Sequence, residues 1–159
     1  MIRAARPDEG DALAAIQQRA SVAALAHIFP PEQYPYPVEE IRRRWREALA
    51  EGRSVLVYEG EGELVGVALT GPGWLDGLYV VPERWGSGVA VELHDAALQV
   101  VRAEGFEQCH LWVLDDNRRA RRFYERLGWR LNERTRVVPY PPNPLDVSYT
   151  IDLETRVEP

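Results

Sequence analysis

Apolar residues recur every three or four positions in four stretches of the chain, and this spacing predicts four amphipathic helices. Proline and an acidic residue favour the first turn of a helix, so Pro7 and Asp8 are expected to open the first one. Glycines follow the other three, at the position where a left-handed residue commonly ends a helix. The predicted helices run from Pro7 to about Ala24, from Val38 to Ala50, from Val89 to about Glu104, and from the cap Asp115-Asp116-Asn117 to Leu127.

Seven shorter segments, rich in β-branched and aromatic residues and bounded by glycine or proline, predict strands. They are Arg3–Ala5, Ser54–Glu59, Leu64–Thr70, Trp74–Val81, Phe106–Leu114, Trp129–Val138 and Val147–Leu153. Turn residues at 60–62 predict a hairpin, whereas the strand–helix–strand order over 74–114 predicts a parallel pair with a helical crossover. The pattern therefore predicts an α/β fold, with helices on the faces of a mixed sheet. A length of 159 residues fits one domain, 1–159, with a polar tail at 154–159.

The charge balance argues against one class of partner. The chain carries 25 acidic and 19 basic residues, a net charge of −6. A non-specific nucleic-acid binder needs a basic face, so no nucleic-acid partner is expected. No segment approaches the ~20 consecutive apolar residues of a membrane-spanning helix. The charged N-terminal stretch also lacks the apolar run of a signal peptide. We therefore expect a cytoplasmic protein without a membrane partner.

Residue usage narrows the chemistry further. All 19 basic residues are arginines, which excludes Schiff-base catalysis by lysine and a Walker phosphate loop. The single cysteine, Cys109, excludes an intrachain disulfide and a cysteine-rich zinc site, and it fits a small buried side chain. The three histidines lack the spacing of a metal motif, so no metal is expected. His94 is expected at the surface of its helix.

A glycine-bearing loop, Trp85-Gly86-Ser87-Gly88, lies between a predicted strand and a predicted helix. This arrangement aims backbone N–H groups and a helix N-terminus at one point, which suits a phosphate or pyrophosphate. A dinucleotide-binding fingerprint would need a third glycine where Val91 stands. The alternative without function is a simple turn, and the loop alone does not decide between these readings.

Two segments of the chain, 78–90 and 111–129, together resemble the GNAT (Gcn5-related N-acetyltransferase) superfamily. Members show a strand of the type LYV-x-P, then (Q/R)-x-x-G-x-(G/A), and later N-x-x-A-x-x-F-Y-x-x-x-G-(F/W). The second motif is complete here, with Asn117, Ala120, Phe123, Tyr124, Gly128 and Trp129 in register. In the first motif Gly88 and Ala90 match, and Trp85 stands where Gln or Arg is usual. The order of elements matches the superfamily from Arg3 to Leu153.

The resemblance implies a mostly antiparallel mixed sheet whose one parallel pair splays apart to hold acetyl-CoA as cosubstrate. The pyrophosphate is expected on the N–H groups of the loop, the pantetheine arm along the strand before it, and Asn117 on the other wall. The cofactor-binding set is then Tyr79, Val80, Val81, Trp85, Gly86, Ser87, Gly88, Val89, Ala90 and Asn117. Tyr124 matches the position of the acid that protonates the departing thiolate. Its alternative role is core filling, as for most tyrosines on an apolar helix face.

The acceptor implied by the resemblance is a primary amine, which must lose a proton before it attacks. Period-two alternation places Asp76 on one strand face with Leu78 and Val80, where it is a candidate base acting through water. A hydrogen-bonded aspartate without catalytic function is an equally open interpretation. Trp74 is expected to line the acceptor site, as are Phe29 and Tyr34 of the proline-rich loop.

An arginine run, 118–122, adjoins Asn117 and fits either a solvated helix face or contacts to the phosphates of CoA.

Taken with this resemblance, the sequence predicts acetyl transfer from acetyl-CoA to an amine of a small molecule or peptide, by direct attack in a ternary complex. The alternative is a CoA-binding sensor without transfer activity. An exposed edge on the final strand would permit a homodimer.

Overall fold

Seven strands form one mixed sheet in the computed structural model of the chain, which describes residues 1–153. The predicted tail at 154–159 lies outside the described residues. The strands are β1 (Ile2–Ala4), β2 (Val55–Gly60), β3 (Glu63–Gly71), β4 (Trp74–Val80), β5 (Gln108–Leu114), β6 (Arg130–Val137) and β7 (Leu145–Asp152). The helices are α1 (Gly10–Leu25), α2 (Val38–Ala50), α3 (Val89–Ala103) and α4 (Arg118–Arg126). A short 3-10 turn at Pro82–Arg84 follows β4.

The strands lie in the order β1-β2-β3-β4-β5-β7-β6, and only β4 and β5 are parallel. The prediction of a mixed, mostly antiparallel sheet is therefore confirmed. The last strand of the described residues, β7, inserts between β5 and β6, so the expectation that the final predicted strand has an exposed edge is wrong. The edge is β6 instead, where Leu131 and Val137 are exposed.

The parallel pair is joined at a single point. Only Trp74 and His110 are in register between β4 and β5, where the His110 N–H donates to the Gly73 carbonyl at 2.9 Å. Beyond this point the two strands separate. The facing edges of β4 and β5 are thus left without ladder hydrogen bonds, which a strand ordinarily makes along its length.

Helices cover both faces of the sheet. Two neighbouring residues of β3 mark the two faces. Gly66 faces α3. Val67 is on the other face, beside its strand partner Tyr79, whose ring centroid lies 6.4 Å from that of Trp45 in α2. A Cβ atom at Gly66 would come within 2.6 Å of the Leu93 side chain. Glycine at this position therefore lets α3 approach the sheet closely.

Most predicted boundaries hold within two residues, and α2 is confirmed at both ends. The first helix starts at Gly10 rather than Pro7, and β7 starts at Leu145 rather than Val147. No helix within residues 1–153 is long and apolar enough to cross a lipid bilayer. Nor do the described residues include a group of three or more His, Cys, Asp or Glu side chains arranged to hold a metal ion.

Candidate active site

A cavity of about 910 Å³ opens where β4 and β5 separate. One wall is the β4 segment 74–79 and the other is the β5 segment 112–114, extended by α4. The loop between α1 and α2 closes one side. Among the predicted site residues, Phe29, Tyr34, Trp74, Asp76, Tyr79, Asn117 and Tyr124 all line this cavity. The structure therefore brings most of the predicted substrate and catalytic residues to one place.

Backbone groups of β4 face the cavity in alternation. The Val81 N–H donates to the Val65 carbonyl on β3 at 2.9 Å. Because alternate residues of a strand direct their N–H and C=O groups to opposite edges, those of Val80 point towards the gap. The Val80 carbonyl accepts a hydrogen bond from Trp85 Nε1 at 2.8 Å, whereas its N–H has no ladder partner on β5.

The glycine loop presents free amides at the end of β4. Gly86 and Gly88 have φ of +76° and +93°, a region that residues with a side chain rarely adopt. Gly88 precedes the first residue of α3, and the first hydrogen bond of that helix runs from the Glu92 N–H to the Gly88 carbonyl. No backbone hydrogen bond within residues 1–153 occupies the N–H groups of Gly86, Gly88, Val89 and Ala90. The Ser87 N–H differs, since it bonds the Arg84 carbonyl at 3.3 Å.

Trp85, the departure from the family motif, connects the loop with both walls of the gap. Its indole is bonded to β4 through Val80, and the Arg119 guanidinium of α4 stacks on its ring at 3.6 Å. Burial of Arg119 lowers the pKa of its guanidinium. Arg84 instead points to Glu61, 3.8 Å away. Arg119, a member of the arginine run, therefore contacts the loop through Trp85.

Tyr124 projects from α4 and is 9% exposed. Its ring packs edge-on against Trp129 at 5.7 Å and Phe123 at 5.2 Å, so the ring is fixed by its neighbours. Burial raises the pKa of Tyr124, and the neighbouring Tyr79 and Cys109 add to the shift. The phenol is thus held in its protonated form while it lines the cavity. Asn117 begins the same helix, with its side-chain oxygen accepting from the Ala120 N–H at 3.3 Å.

Asp76 does not follow the predicted alternation. Leu75 pairs with Thr70 and Gly77 pairs with Leu69, so Asp76 is an extra residue in a β-bulge. A bulge breaks the period of two. The expectation that Asp76 shares a face with Leu78 and Val80 is therefore wrong. Its carboxylate instead forms an ion pair with Arg53 and borders a side pocket beside α2.

The proline-rich loop between α1 and α2 is bonded to the wall formed by β5 and α4. His27, at the end of α1, bonds the Asp116 carbonyl at 2.9 Å, and Phe29 packs edge-on against Tyr34 at 6.4 Å. Across the gap, Trp74 and Trp112 are stacked with ring centroids 5.9 Å apart. Several aromatic rings therefore line this part of the cavity.

Comparison with known proteins agrees with this geometry. The profile of the Acetyltransferase (GNAT) family matches residues 20–129, which is more than half of the chain. The chain belongs to the GNAT family.

Several named acetyltransferases are similar to this GNAT chain in sequence or in structure. A mycothiol acetyltransferase of Thermobispora bispora is 33% identical over 117 residues, which cover 67% of this chain and 40% of the relative. The GNAT chain thus spans about two fifths of the length of the curated relatives that it matches first. A GCN5-related N-acetyltransferase from Rhodopseudomonas palustris has the same fold, with a TM-score of 0.79, 23% identity and coverage of 96% of this chain and 95% of its own. The Salmonella typhimurium protein yncA, solved with its cofactor acetyl-CoA, has a TM-score of 0.69 at 19% identity, with coverage of 100% and 96%.

Some residues of this GNAT site were not found from the sequence. Arg136, Tyr140 and Asp146 line the cavity although they lie in or near the last two strands. The sequence gives little indication that these residues reach the cavity, because their position depends on the insertion of β7 beside β5, which the sequence pattern does not specify. The glycine loop, in contrast, lies outside the cavity lining, at the far end of β4.

His94 is a further correction, since it is 2% exposed rather than at the surface. Its Nε2 accepts from Trp129 Nε1 at 2.9 Å, and its Nδ1 lies 2.8 Å from Asp95. Burial lowers the pKa of His94, although the bond to Asp95 opposes this. The ring therefore packs as a core residue that positions Trp129, which in turn contacts Tyr124.

Proposed function

We propose that this GNAT protein transfers an acetyl group from acetyl-CoA to a primary amine of a small molecule or peptide. The observation that carries the proposal is the gap between β4 and β5, which has free backbone groups along its edge and a glycine loop at its end. An extended ligand with amide groups can pair with such an edge as an additional strand. The free N–H groups at the start of α3 suit a pyrophosphate. The residues present therefore fit acetyl-CoA.

The binding roles follow from these positions. The N–H groups of Gly86, Gly88, Val89 and Ala90 would hold the pyrophosphate, while Asn117 would contact the arm from the α4 side. The free N–H of Val80 would hydrogen-bond the thioester oxygen, and that bond would strengthen as the oxygen becomes an oxyanion. Trp85 already donates to the Val80 carbonyl. We therefore expect acetyl-CoA to bond Val80 mainly through the N–H group that faces the thioester oxygen.

The proposed reaction proceeds by direct attack. The amine nitrogen forms a bond to the acetyl carbon, and the tetrahedral intermediate collapses with cleavage of the carbon–sulfur bond. The thiolate then takes the proton of the Tyr124 hydroxyl, which its neighbours keep in the protonated state. Before the attack, the protonated amine loses one proton to Asp76 through water, and the nitrogen releases a second proton to water as the amide forms. Arg53 forms an ion pair with the Asp76 carboxylate.

The proposal is tested in two steps on the purified protein. The first is thermal unfolding with and without saturating acetyl-CoA, with NAD as the control. A ligand bound only to the folded state at ~100 times its dissociation constant adds about 2.7 kcal/mol of stability. A higher unfolding temperature with acetyl-CoA alone is the expected result.

The second step measures the release of CoA thiol in the presence of primary amines. Release that depends on the amine supports transfer, and mass spectrometry of the product confirms the new amide. Stabilisation by acetyl-CoA without release for any amine would point to a CoA-binding sensor. Absence of both effects would contradict the proposed function.

A further inference from the structure

A buried carboxylate on the acceptor side of the cavity has no role in the reaction described above. Asp146 begins the part of β7 that pairs with Leu114 of β5, and its side chain is only 9% exposed. It nevertheless lines the cavity. Burial of a charge without a partner is costly, so the surroundings of this carboxylate are informative.

One oxygen of Asp146 is satisfied and the other is free. Arg136 Nε donates to Oδ2 at 2.9 Å. Within residues 1–153, no hydrogen bond reaches Oδ1. The Arg136 guanidinium also lies over the Trp112 ring, 4.4 Å from its centroid. Asp146 thus offers one unpartnered acceptor atom at the cavity wall, beside the arginine that bonds its other oxygen.

Asp146 and Tyr79 line the same cavity. Burial raises the pKa of Tyr79 to about 12, Arg44 opposes this, and the charges of Asp76 and Asp146 add to it. Tyr79 lies on β4, whereas Asp146 lies on the opposite wall. The two carboxylates therefore act on the same region of the cavity from its two sides.

Each of the two arginines that line the cavity already forms an ion pair with an acid, Arg44 with Glu40 at 2.7 Å and Arg136 with Asp146, and each side chain is about half exposed. The rest of the wall is aliphatic and aromatic, and its aromatic residues include Phe29, Tyr34, Tyr36, Trp74, Trp112 and Tyr140. Aromatic faces and carboxylates both attract an ammonium group, and the rings also cover apolar surface.

We propose that Asp146 binds the ammonium group of the acceptor, and that this acceptor is a primary amine carried on an aromatic body without a carboxylate. The inference rests on the proposed acetyl transfer and assigns its second substrate. Asp146 determines binding of the amine, whereas Asp76 takes its proton. The two aspartates should therefore differ in the kinetic constant that they affect.

The test compares Asp146→Asn with the wild-type enzyme at saturating acetyl-CoA, using 2-phenylethylamine as the acceptor. Asparagine keeps the shape and an acceptor for Arg136 but removes the charge. We expect KM for the amine to rise by about 10-fold or more, as for the loss of a hydrogen bond to a charged group. We expect kcat to change much less and stabilisation by acetyl-CoA to be unchanged. Asp152→Asn is the matched control, because Asp152 lies on the same strand and pairs with Arg130 outside the cavity.

A neutral analogue separates charge recognition from a structural role. 2-Phenylethanol has the same body with a hydroxyl in place of the ammonium, and its inhibition constant should be the same in both proteins. An equal loss of affinity for alcohol and amine would show that Asp146 only supports the cavity, and would overturn the proposal. An unchanged KM for the amine in Asp146→Asn would also overturn it.

Two further acceptors test the substrate class. L-Phenylalanine adds a carboxylate to the same ring, and ethanolamine keeps the ammonium without a ring. Both should have a lower kcat/KM than 2-phenylethylamine. Preference for either one, or no turnover of 2-phenylethylamine by a protein that acetyl-CoA stabilises, would overturn the acceptor class and leave the acetyl-CoA site intact. Failure of acetyl-CoA itself to bind would instead contradict the proposed function.

Discussion

Tyr124 has a defined position and carries its proton, as a proton donor to a thiolate requires. Its ring is fixed by Phe123 and Trp129, so the hydroxyl has a defined position in the cavity. Burial raises the pKa of its phenol, so the group keeps its proton throughout the neutral range. A core tyrosine would share both properties, and only its contribution to the reaction separates the two roles.

Replacement of Tyr124 by phenylalanine removes the hydroxyl and retains the packing of the ring. We expect kcat to fall by about 10²–10⁴-fold, the range of general acid catalysis, with acetyl-CoA stabilisation unchanged. Because the raised pKa keeps the phenol protonated, wild-type kcat should not decline from this group at mildly alkaline pH. Thiol release between pH 6 and 9 measures both effects.

Tyr58→Phe is the control, since Tyr58 lies half-buried on β2 outside the cavity lining. It should retain full activity. A Tyr124→Phe enzyme with wild-type kcat would assign Tyr124 to the core alone and would leave the source of the proton elsewhere.

At the scale of elements, the glycine loop and α3 form one unit. Gly88 has a φ of +93° and has no atom within 4 Å of the place where a Cβ would lie. The requirement for glycine is therefore conformational rather than steric, because a left-handed residue with a side chain costs roughly 1–2 kcal/mol. The amides that begin α3 depend on this conformation for their direction.

We expect Gly88→Ala to lower stability by about 1–2 kcal/mol and to weaken acetyl-CoA binding as well. Gly62→Ala is a matched control, because Gly62 also has a positive φ, +79°, and open space around it, but lies in the β2–β3 turn. It should lose similar stability and keep its affinity for acetyl-CoA. Thermal unfolding and calorimetric titration measure the two quantities. Equal affinity in both variants would contradict a role of the loop in binding.

Individual elements could be predicted from the sequence because their signals are local. The period of α2, the glycines after the helices and the motif of α4 involve residues a few positions apart. The position of β7 beside β5, and hence of Asp146 in the cavity, depends on pairing between distant segments. The bulge at Asp76 changes the direction of one side chain, and no pattern in the sequence indicates it. The burial of His94 likewise depends on Trp129, which is 35 residues away.

At the scale of the whole molecule, an ionic cluster ties the N-terminal strand to two other elements. Arg3 of β1 donates to both oxygens of Glu9, before α1, at 2.8 Å, and to Glu59 of β2 at 3.0 Å. The hydrogen bonds from Arg3 lower the pKa of Glu9 from 4.5 to about 2. A carboxyl with a lowered pKa stabilises the fold above its unfolded pKa, and this stabilisation is lost as the pH falls towards the folded value.

We therefore expect Glu9→Gln to lower the unfolding temperature at pH 7 and to have little effect near pH 2. The acid sensitivity between pH 4.5 and 2 should be smaller in the variant than in the wild-type protein, as followed by circular dichroism. Glu133→Gln, at an exposed position of β6, should follow the wild-type curve. Parallel curves for Glu9→Gln and wild type would show that the cluster contributes nothing measurable.

The single ladder pair between β4 and β5 divides the sheet into two parts. Strands β1 to β4 form one antiparallel unit and β5 to β7 another, and they are joined in the ladder only at Trp74 and His110. A ligand that pairs along the open edges would complete the sheet as its eighth strand. The cooperativity of unfolding would then belong to the protein and its ligand together. The amount of acetyl-CoA present would set how far the two parts of the molecule open independently of each other.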